Sequence, residues 1–187
     1  EIVFGNSSGK LYIINQDGSQ QLAYTQLGFV EGAPALVDID GDQDLEIIFT
    51  TTTGSGGQVY VIHHNGATES GFPKEIGSMF AGPAVHDLDN DGVVDVVCVT
   101  YDKEIYVIEA IGGAIKSGFP FTAESRFSMP ATIVDVDSDG DYEIAAGCNS
   151  GDLYILHHDG TIHSQYDTGD DIRGGISVCD LNNDGQL

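Results

Sequence analysis

Four segments of this 187-residue chain set acidic side chains at alternate positions in one spacing, D-x-[DN]-x-D-G-x-x-[DE]. They are residues 38–46 (DIDGDQDLE), 87–95 (DLDNDGVVD), 135–143 (DVDSDGDYE) and 180–187 (DLNNDGQL). The spacing puts side-chain oxygens at loop positions 1, 3, 5 and 9 and offers a backbone carbonyl at position 7. A hard cation of Ca2+ size takes about six to eight oxygen ligands at roughly 2.3–2.6 Å. An alternating acidic run that curls round one point supplies them. Left bare, the same carboxylates repel, since unit charges about 4 Å apart interact by about 1–4 kcal/mol at surface dielectrics. One copy alone reads as a solvated acidic turn; four in register read as cation sites.

The elements that must hold these loops recur with them. The leading aspartates lie 49, 48 and 45 residues apart, and strand-rich periods of that length mark propeller blades. Before each loop a small-residue turn runs into an apolar strand: GAPALVD (32–38), AGPAVHD (81–87), SMPATIVD (128–135) and GGISVCD (174–180). After it comes a β-branched run, EIIFT, DVVCVTY or EIAAG, and then a strand with a recurring tyrosine, KLYII, QVYVI, EIYVI or DLYIL. Turns such as Asp17-Gly18, Asn65-Gly66 and Asp159-Gly160 lead to a weaker fourth strand, twice containing GFP. Four short strands per unit with Gly, Asn and Asp turns make one propeller blade. No stretch carries a 3.6-residue apolar period over helix length. The expected fold is therefore all-β, a β-propeller of four four-stranded blades, with residues 1–187 as a single propeller or a portion of one.

Composition agrees. Twenty-five glycines suit tight turns, and 41% apolar residues suffice for cores between sheets. Thirty acidic residues against six basic give a formal charge of −24, which argues against nucleic acid or anionic lipid as partners. The absence of a long apolar run argues against membrane insertion. The chain opens at Glu1 with neither methionine nor a signal peptide, so the expectation is a processed product or an excised piece.

The Gly-Ala-Pro strand followed by D-x-D-x-D-G-x-x-[DE] resembles the FG-GAP repeat of integrin α-chain propellers and the related VCBS repeats of secreted bacterial proteins. The resemblance implies a Ca2+ loop between the first and second strands of each blade, on one face, with ligands met by the opposite face. Carried over, it implies side-chain ligands at Asp38, Asp40, Asp42 and Glu46, then at Asp87, Asp89, Asp91 and Asp95. The third set is Asp135, Asp137, Asp139 and Glu143, and the fourth is Asp180, Asn182 and Asp184. Asp44, Val93, Asp141 and Gln186 would give the position-7 carbonyls, for three or four ions in all.

Two departures stand out. Gln43 replaces the glycine at position 6 of the first loop, where a left-handed backbone carries strain for any other residue. The fourth loop stops at position 8, while the chain begins with Glu1-Ile2-Val3-Phe4, which reads like Glu46-Ile47-Ile48-Phe49. Glu1 is thus a position-9 glutamate without its loop. The expectation is one composite blade, its first strand from residues 173–179 and the rest from the N-terminal strands. It closes a four-bladed ring within one chain or an eight-bladed ring between two, by self-association through terminal strands, unless the chain is an excerpt of a longer propeller.

Other candidate sites are weaker. Gly5-Asn6-Ser7-Ser8-Gly9 matches G-x-S-x-G, but that motif works on a strand-to-helix elbow, and here it joins two strands. Asn6-Ser7-Ser8 is also a glycosylation sequon. The pairs His63-His64 and His157-His158 suggest zinc less than they suggest exposed strand ends, because adjacent strand residues point to opposite faces. Cys98, Cys148 and Cys179 have no C-x-x-C spacing, and Cys98 and Cys179 read as small buried hydrophobes. Modules of this type outside cells bind calcium at about 10⁻⁴–10⁻³ M, which points to a secreted, periplasmic or cell-surface location. The function expected is a non-catalytic adhesion or interaction module, binding a protein or glycan on the face opposite the calcium loops. The alternative is the propeller body of a calcium-dependent polysaccharide lyase or other carbohydrate-active enzyme. Candidate contact residues on that face are Phe29, Glu31, residues 51–55, Met79, Phe80, Tyr101, Asp102, Arg126, Phe127, Asp171 and Arg173, with Phe80 and Phe127 alternatively read as plugs of the cores between blades.

Overall fold

In the computed structural model, which describes residues 1–25 and 28–187, the chain is built of β-strands and turns. The first sheet pairs β1 (Ile2–Asn6), β2 (Lys10–Ile14) and β3 (Gln20–Thr25). Three four-stranded antiparallel meanders follow. They are β4 (Ala35–Val37), β5 (Glu46–Thr53), β6 (Gly56–Ile62) and β7 (Lys74–Ile76); then β8 (Ala84–His86), β9 (Asp95–Val99), β10 (Glu104–Glu109) and β11 (Phe121–Thr122). The last holds β12 (Thr132–Val134), β13 (Glu143–Gly147), β14 (Asp152–Leu156) and β15 (Ile162–Asp167). The fold is all-β with four propeller blades among the described residues, and the inner strands β4, β8 and β12 touch in succession.

The second strands show why the blades stack. Every residue of β9 and β13 is buried, and so is all of β5 except its last. Strand side chains alternate between faces, so a strand buried on both sides feeds two cores. Ile47 and Phe49 join Leu11, Ile13, Tyr60 and Ile62 between the first and second sheets. Ile48 points the other way, to Val96, Cys98 and Ile108 between the second and third. Val97 and Val99 in turn meet Ile144, Ala146, Phe127 and Leu156 in the next layer.

The small-residue turns before the inner strands are set by contact between blades. A Cβ on Gly32 would collide with the backbone of Gly82, and one on Gly82 with the carbonyl of Ala33. Gly82→Ala is therefore expected to push two inner turns apart at a cost of about 1–3 kcal/mol. At about 2–4 °C per kcal/mol for a chain of this size, the melting temperature should fall by roughly 2–12 °C. An unchanged thermal melt would show that the turns have slack.

The composite blade is not formed. The first sheet has three strands, and residues 173–179 contribute none to it. Their approach is fixed by the preceding blade: the Thr168 amide donates to Gly151 O (2.9 Å) and the Ile172 amide to Cys148 O (3.2 Å). The Thr132 hydroxyl then donates to Ile176 O at 2.9 Å, so the segment lies beside β12, where a following inner strand would run. Glu1 lies instead near Asn15, Asp17, Asp44 and Leu45. Cys179, expected to be buried, is exposed, while Cys98 and Cys148 are buried, and all three are free thiols.

Candidate metal centres

The first three acidic loops each link a first strand to a second strand, and all four fold on their own position-1 aspartate. Asp38 accepts the amides of Gly41 (2.7 Å) and Gln43 (3.0 Å). Asp87 accepts those of Asp91 (3.1 Å) and Gly92 (2.9 Å), and Asp135 that of Gly140 (3.2 Å). Two left-handed residues per loop permit the curl: Gly41 and Gln43, Asn90 and Gly92, Ser138 and Gly140, Asn183 and Gly185. Gln43 does take the left-handed backbone its position requires, at φ 77°. The position-5 carboxylates of Asp42, Asp91, Asp139 and Asp184 accept the position-7 amides of Asp44, Val93, Asp141 and Gln186 at 2.8–2.9 Å.

The curl gathers three of the four expected side-chain ligands in each of three loops, with Glu46, Asp95 and Asp139 outside the groups. Carboxylate oxygens of Asp38, Asp40 and Asp42 lie within 4.8 Å of one another, as do those of Asp87, Asp89 and Asp91 and those of Asp135, Asp137 and Glu143. The fourth loop keeps the turn, with Asp180 accepting the amides of Asn182 and Asp184 (both 3.2 Å) and Gly185 (2.7 Å). An asparagine stands at its position 3, and Glu1 does not join it.

The position-9 acids are anchored more firmly than the rest. Glu46, Asp95 and Glu143 are fully buried at the first residue of their strands. Each accepts the position-2 amide across its loop: Ile39 to Glu46 at 3.1 Å, Leu88 to Asp95 at 3.2 Å and Val136 to Glu143 at 2.9 Å.

Basic side chains also contact the loops: the two histidine pairs, and Lys116, which the sequence did not single out. His63 Nδ1 lies 3.0 Å from Glu46 and its Nε2 3.1 Å from Glu69. His157 Nδ1 lies 3.3 Å from Glu143, His64 lies 3.3 Å from Asp44 and His158 lies 3.4 Å from Asp141. In the second loop the Lys116 ammonium sits 2.8 Å from Asp89 and 3.0 Å from Asp95. Burial pushes Asp95 up to about 6 against the pull of Lys116. Burial lowers the His63 pKa, but the bonds and charges of its two glutamates outweigh it, so it is raised overall. His64 is an exposed strand-end residue as expected, while His63, His157 and His158 are half-buried against the acidic loops. The third-to-fourth-strand turns share a face with the acidic loops, so both members of each pair reach one. Meander topology carried that signal, since alternate turns of a blade lie on the same side.

Among the described residues, three buried carboxylate oxygens lack any hydrogen-bond partner: Asp89 Oδ1, Asp95 Oδ1 and Asp135 Oδ1. Orphaned buried oxygens are costly, and these belong to expected ligands of the second and third loops. A hard cation is the group such oxygens fit. The G-x-S-x-G match has no such company. Its serines lie in the turn between β1 and β2, where Asn6 Oδ1 accepts both the amide and the hydroxyl of Ser8.

On the opposite face the contact residues separate. Phe127 and Met79 are 1% and 2% exposed and belong to the cores, which corrects Met79 as a contact residue and matches the core-plug reading of Phe127. Phe80 is 41% exposed, its ring 4.4 Å from that of Tyr101, and the Arg126 guanidinium lies 4.9 Å over the Tyr101 ring.

Residues 38–98 match the FG-GAP-like repeat, a segment that contains the first two acidic loops and strands β5 to β8 between them. No curated protein matches the chain in sequence. Among solved structures, the chain is similar to BamB from Moraxella catarrhalis, with 18% identity, a TM-score of 0.64, and 95% of this chain and 48% of that one covered. The V. cholerae biofilm matrix protein Bap1 is similar at 23% identity and TM-score 0.63, over 85% of this chain and 28% of that one. The Pseudomonas aeruginosa PilY1 C-terminal domain is similar at 19% identity and TM-score 0.55, over 82% and 38%. These likenesses are of fold, and the chain spans about half or less of each protein.

Proposed function

We propose that the chain is a calcium-stabilised, non-catalytic interaction module that works outside the cytosol. The observation that carries this reading is the set of orphaned buried oxygens on Asp89, Asp95 and Asp135, placed where an oxygen-seeking ion would satisfy them. Calcium is the ion whose size and ligand number match a loop with side-chain oxygens at 1, 3, 5 and 9 and a carbonyl at 7. Asp38, Asp40, Asp42 and Glu46 would hold one ion, Asp87, Asp89, Asp91 and Asp95 a second, and Asp135, Asp137, Asp139 and Glu143 a third. The ion supplies charge neutralisation and cross-linking of each loop. Loops of this type suit millimolar external calcium, and the naming of Bap1 as a biofilm matrix protein supports an extracellular setting.

The partner, a protein or a glycan, docks on the face away from these loops, around Phe80, Tyr101 and Arg126. Exposed aromatic rings beside an arginine are the side chains that most often anchor interfaces. Equilibrium dialysis against calcium tests the first half of the proposal, and three ions per chain at millimolar concentration is the expected result. Glycan-array and pull-down binding, with and without EGTA, tests the second. Phe80→Ala and Arg126→Ala should each weaken capture by about tenfold or more, the loss typical of an interface anchor, while leaving the calcium-loaded melt in place. Capture that survives both changes would remove this face from consideration.

A further inference from the structure

One structural position faces the acidic loop in each complete blade and carries a different charge each time. It is the residue after the third-to-fourth-strand turn, held by equivalent bonds: the Glu69 amide donates to Val61 O and the Lys116 amide to Val107 O, both at 2.9 Å. The bridges Ile62↔Thr68 and Ile108↔Ile115 fix the same register one residue earlier. In the last blade the pairing of Leu156 with Ile162 puts His163 there. Glu69 bonds His63 and leaves the loop's first three acids alone. His163 reaches only Asp137, at 3.8 Å. Lys116 goes further into its loop. Its ammonium lies 2.8 Å from Asp89, 3.0 Å from Asp95 and 3.9 Å from Asp91, the acids of positions 3, 9 and 5.

A single point that close to three ligands of one loop is the place a divalent ion would need. We infer that Lys116 is the resident counter-ion of the second loop and competes with calcium for it, so that this position sets the relative affinity of the loops. The inference rests on the calcium reading above. Without a metal the ammonium neutralises part of the charge that Asp89, Asp91 and Asp95 bring together. Calcium can enter only as the ammonium leaves, and the stem of Lys116 must then turn out to solvent. Lys116 still leaves Asp89 Oδ1 and Asp95 Oδ1 unpartnered, so the loop keeps unfilled capacity for an ion. Among the described residues the third loop has no ammonium in that place: His163 stands 3.8 Å from Asp137 and His157 3.3 Å from Glu143, each on one ligand.

The position-6 amides report on the loops one at a time, because Gly92 donates to Asp87 at 2.9 Å and Gly140 to Asp135 at 3.2 Å. A calcium titration followed by amide NMR should therefore show the Gly92 signal shifting at about tenfold higher calcium than the Gly140 signal, the factor set by one competing charged contact. Lys116→Gln should bring the Gly92 midpoint down by about the same factor. His163→Lys, which places the competitor in the third loop, should raise the Gly140 midpoint and keeps the test open if Lys116→Gln folds only with calcium. Coincident midpoints in the native protein, or midpoints that neither substitution moves, would overturn the role of Lys116 while leaving the calcium reading intact. No shift of any loop amide up to saturating calcium would overturn the calcium reading, and the competition with it.

Discussion

Removing calcium should lower the melting temperature of this protein by about 2–17 °C, comparing excess EGTA with millimolar Ca2+. Each site filled at about one to ten times its Kd adds roughly 0.4–1.4 kcal/mol to the folded state. Three such sites give about 1–4 kcal/mol, against a total of about 5–15 kcal/mol for an ordinary domain. A domain of 150–250 residues shifts by about 2–4 °C for each kcal/mol. The structure adds a reason for the upper part of the range. The ion also relieves the orphaned oxygens of Asp89, Asp95 and Asp135, and buried unpaired polar atoms cost about 1–3 kcal/mol each. Superimposable melts in EGTA and in calcium would rule out calcium as a structural partner.

The acids of one loop should not respond alike to substitution. Glu143→Ala removes the acceptor of the Val136 amide and the partner of His157, from a side chain with no exposed surface. A loss of about 2–4 kcal/mol follows from the unpaired donors alone, and it should be present with EGTA as well as with calcium. Asp139→Asn removes an exposed charge but keeps an oxygen for the Asp141 amide, which the native side chain accepts at 2.9 Å. In EGTA that change relieves repulsion and should leave stability level or slightly raised; in calcium it should lower stability by weakening the site. Paired melts of the two variants in both conditions check this, and equal losses in EGTA would contradict the distinction.

The loops, their spacing and the four-strand unit were legible in the sequence because each rests on local pattern. The unbroken apolar runs Ile47-Ile48-Phe49 and Val96-Val97-Cys98 mark strands buried on both faces, and the repeated aspartates mark what precedes them. What stayed illegible depended on which turns share a face and how far a side chain reaches. Lys116 and His63 are distant from Asp95 and Glu46 along the chain, and only the meander brings them to the same end of the blade. Phe80 and Phe127 look interchangeable in sequence, each at the approach to an inner strand. Phe127 pairs with Cys148 through the backbone and turns into the core, while Phe80 stays outside against Tyr101. The composite blade failed for a similar reason. Residues 173–179 look strand-forming in sequence but pair with no sheet: the bonds of Thr168 to Gly151 and of Ile172 to Cys148 direct them past β12 rather than to the N-terminal sheet.

The buried acid at the start of each second strand also solves a problem of alignment. In a strand with one wet face, a slip by one residue would expose the apolar set, and that penalty holds the strand in place. β5, β9 and β13 have no wet face, so a slip would merely exchange one dry neighbour for another. The hydrophobic effect is nearly blind to it. Glu46, Asp95 and Glu143 are not, because each is bound to its own loop by the amide of Ile39, Leu88 or Val136. Shifting the strand would tear that bond and drag a carboxylate among aliphatic side chains, at several kcal/mol. The residue expected to hold a metal thus doubles as the pin that tells a featureless strand where to begin.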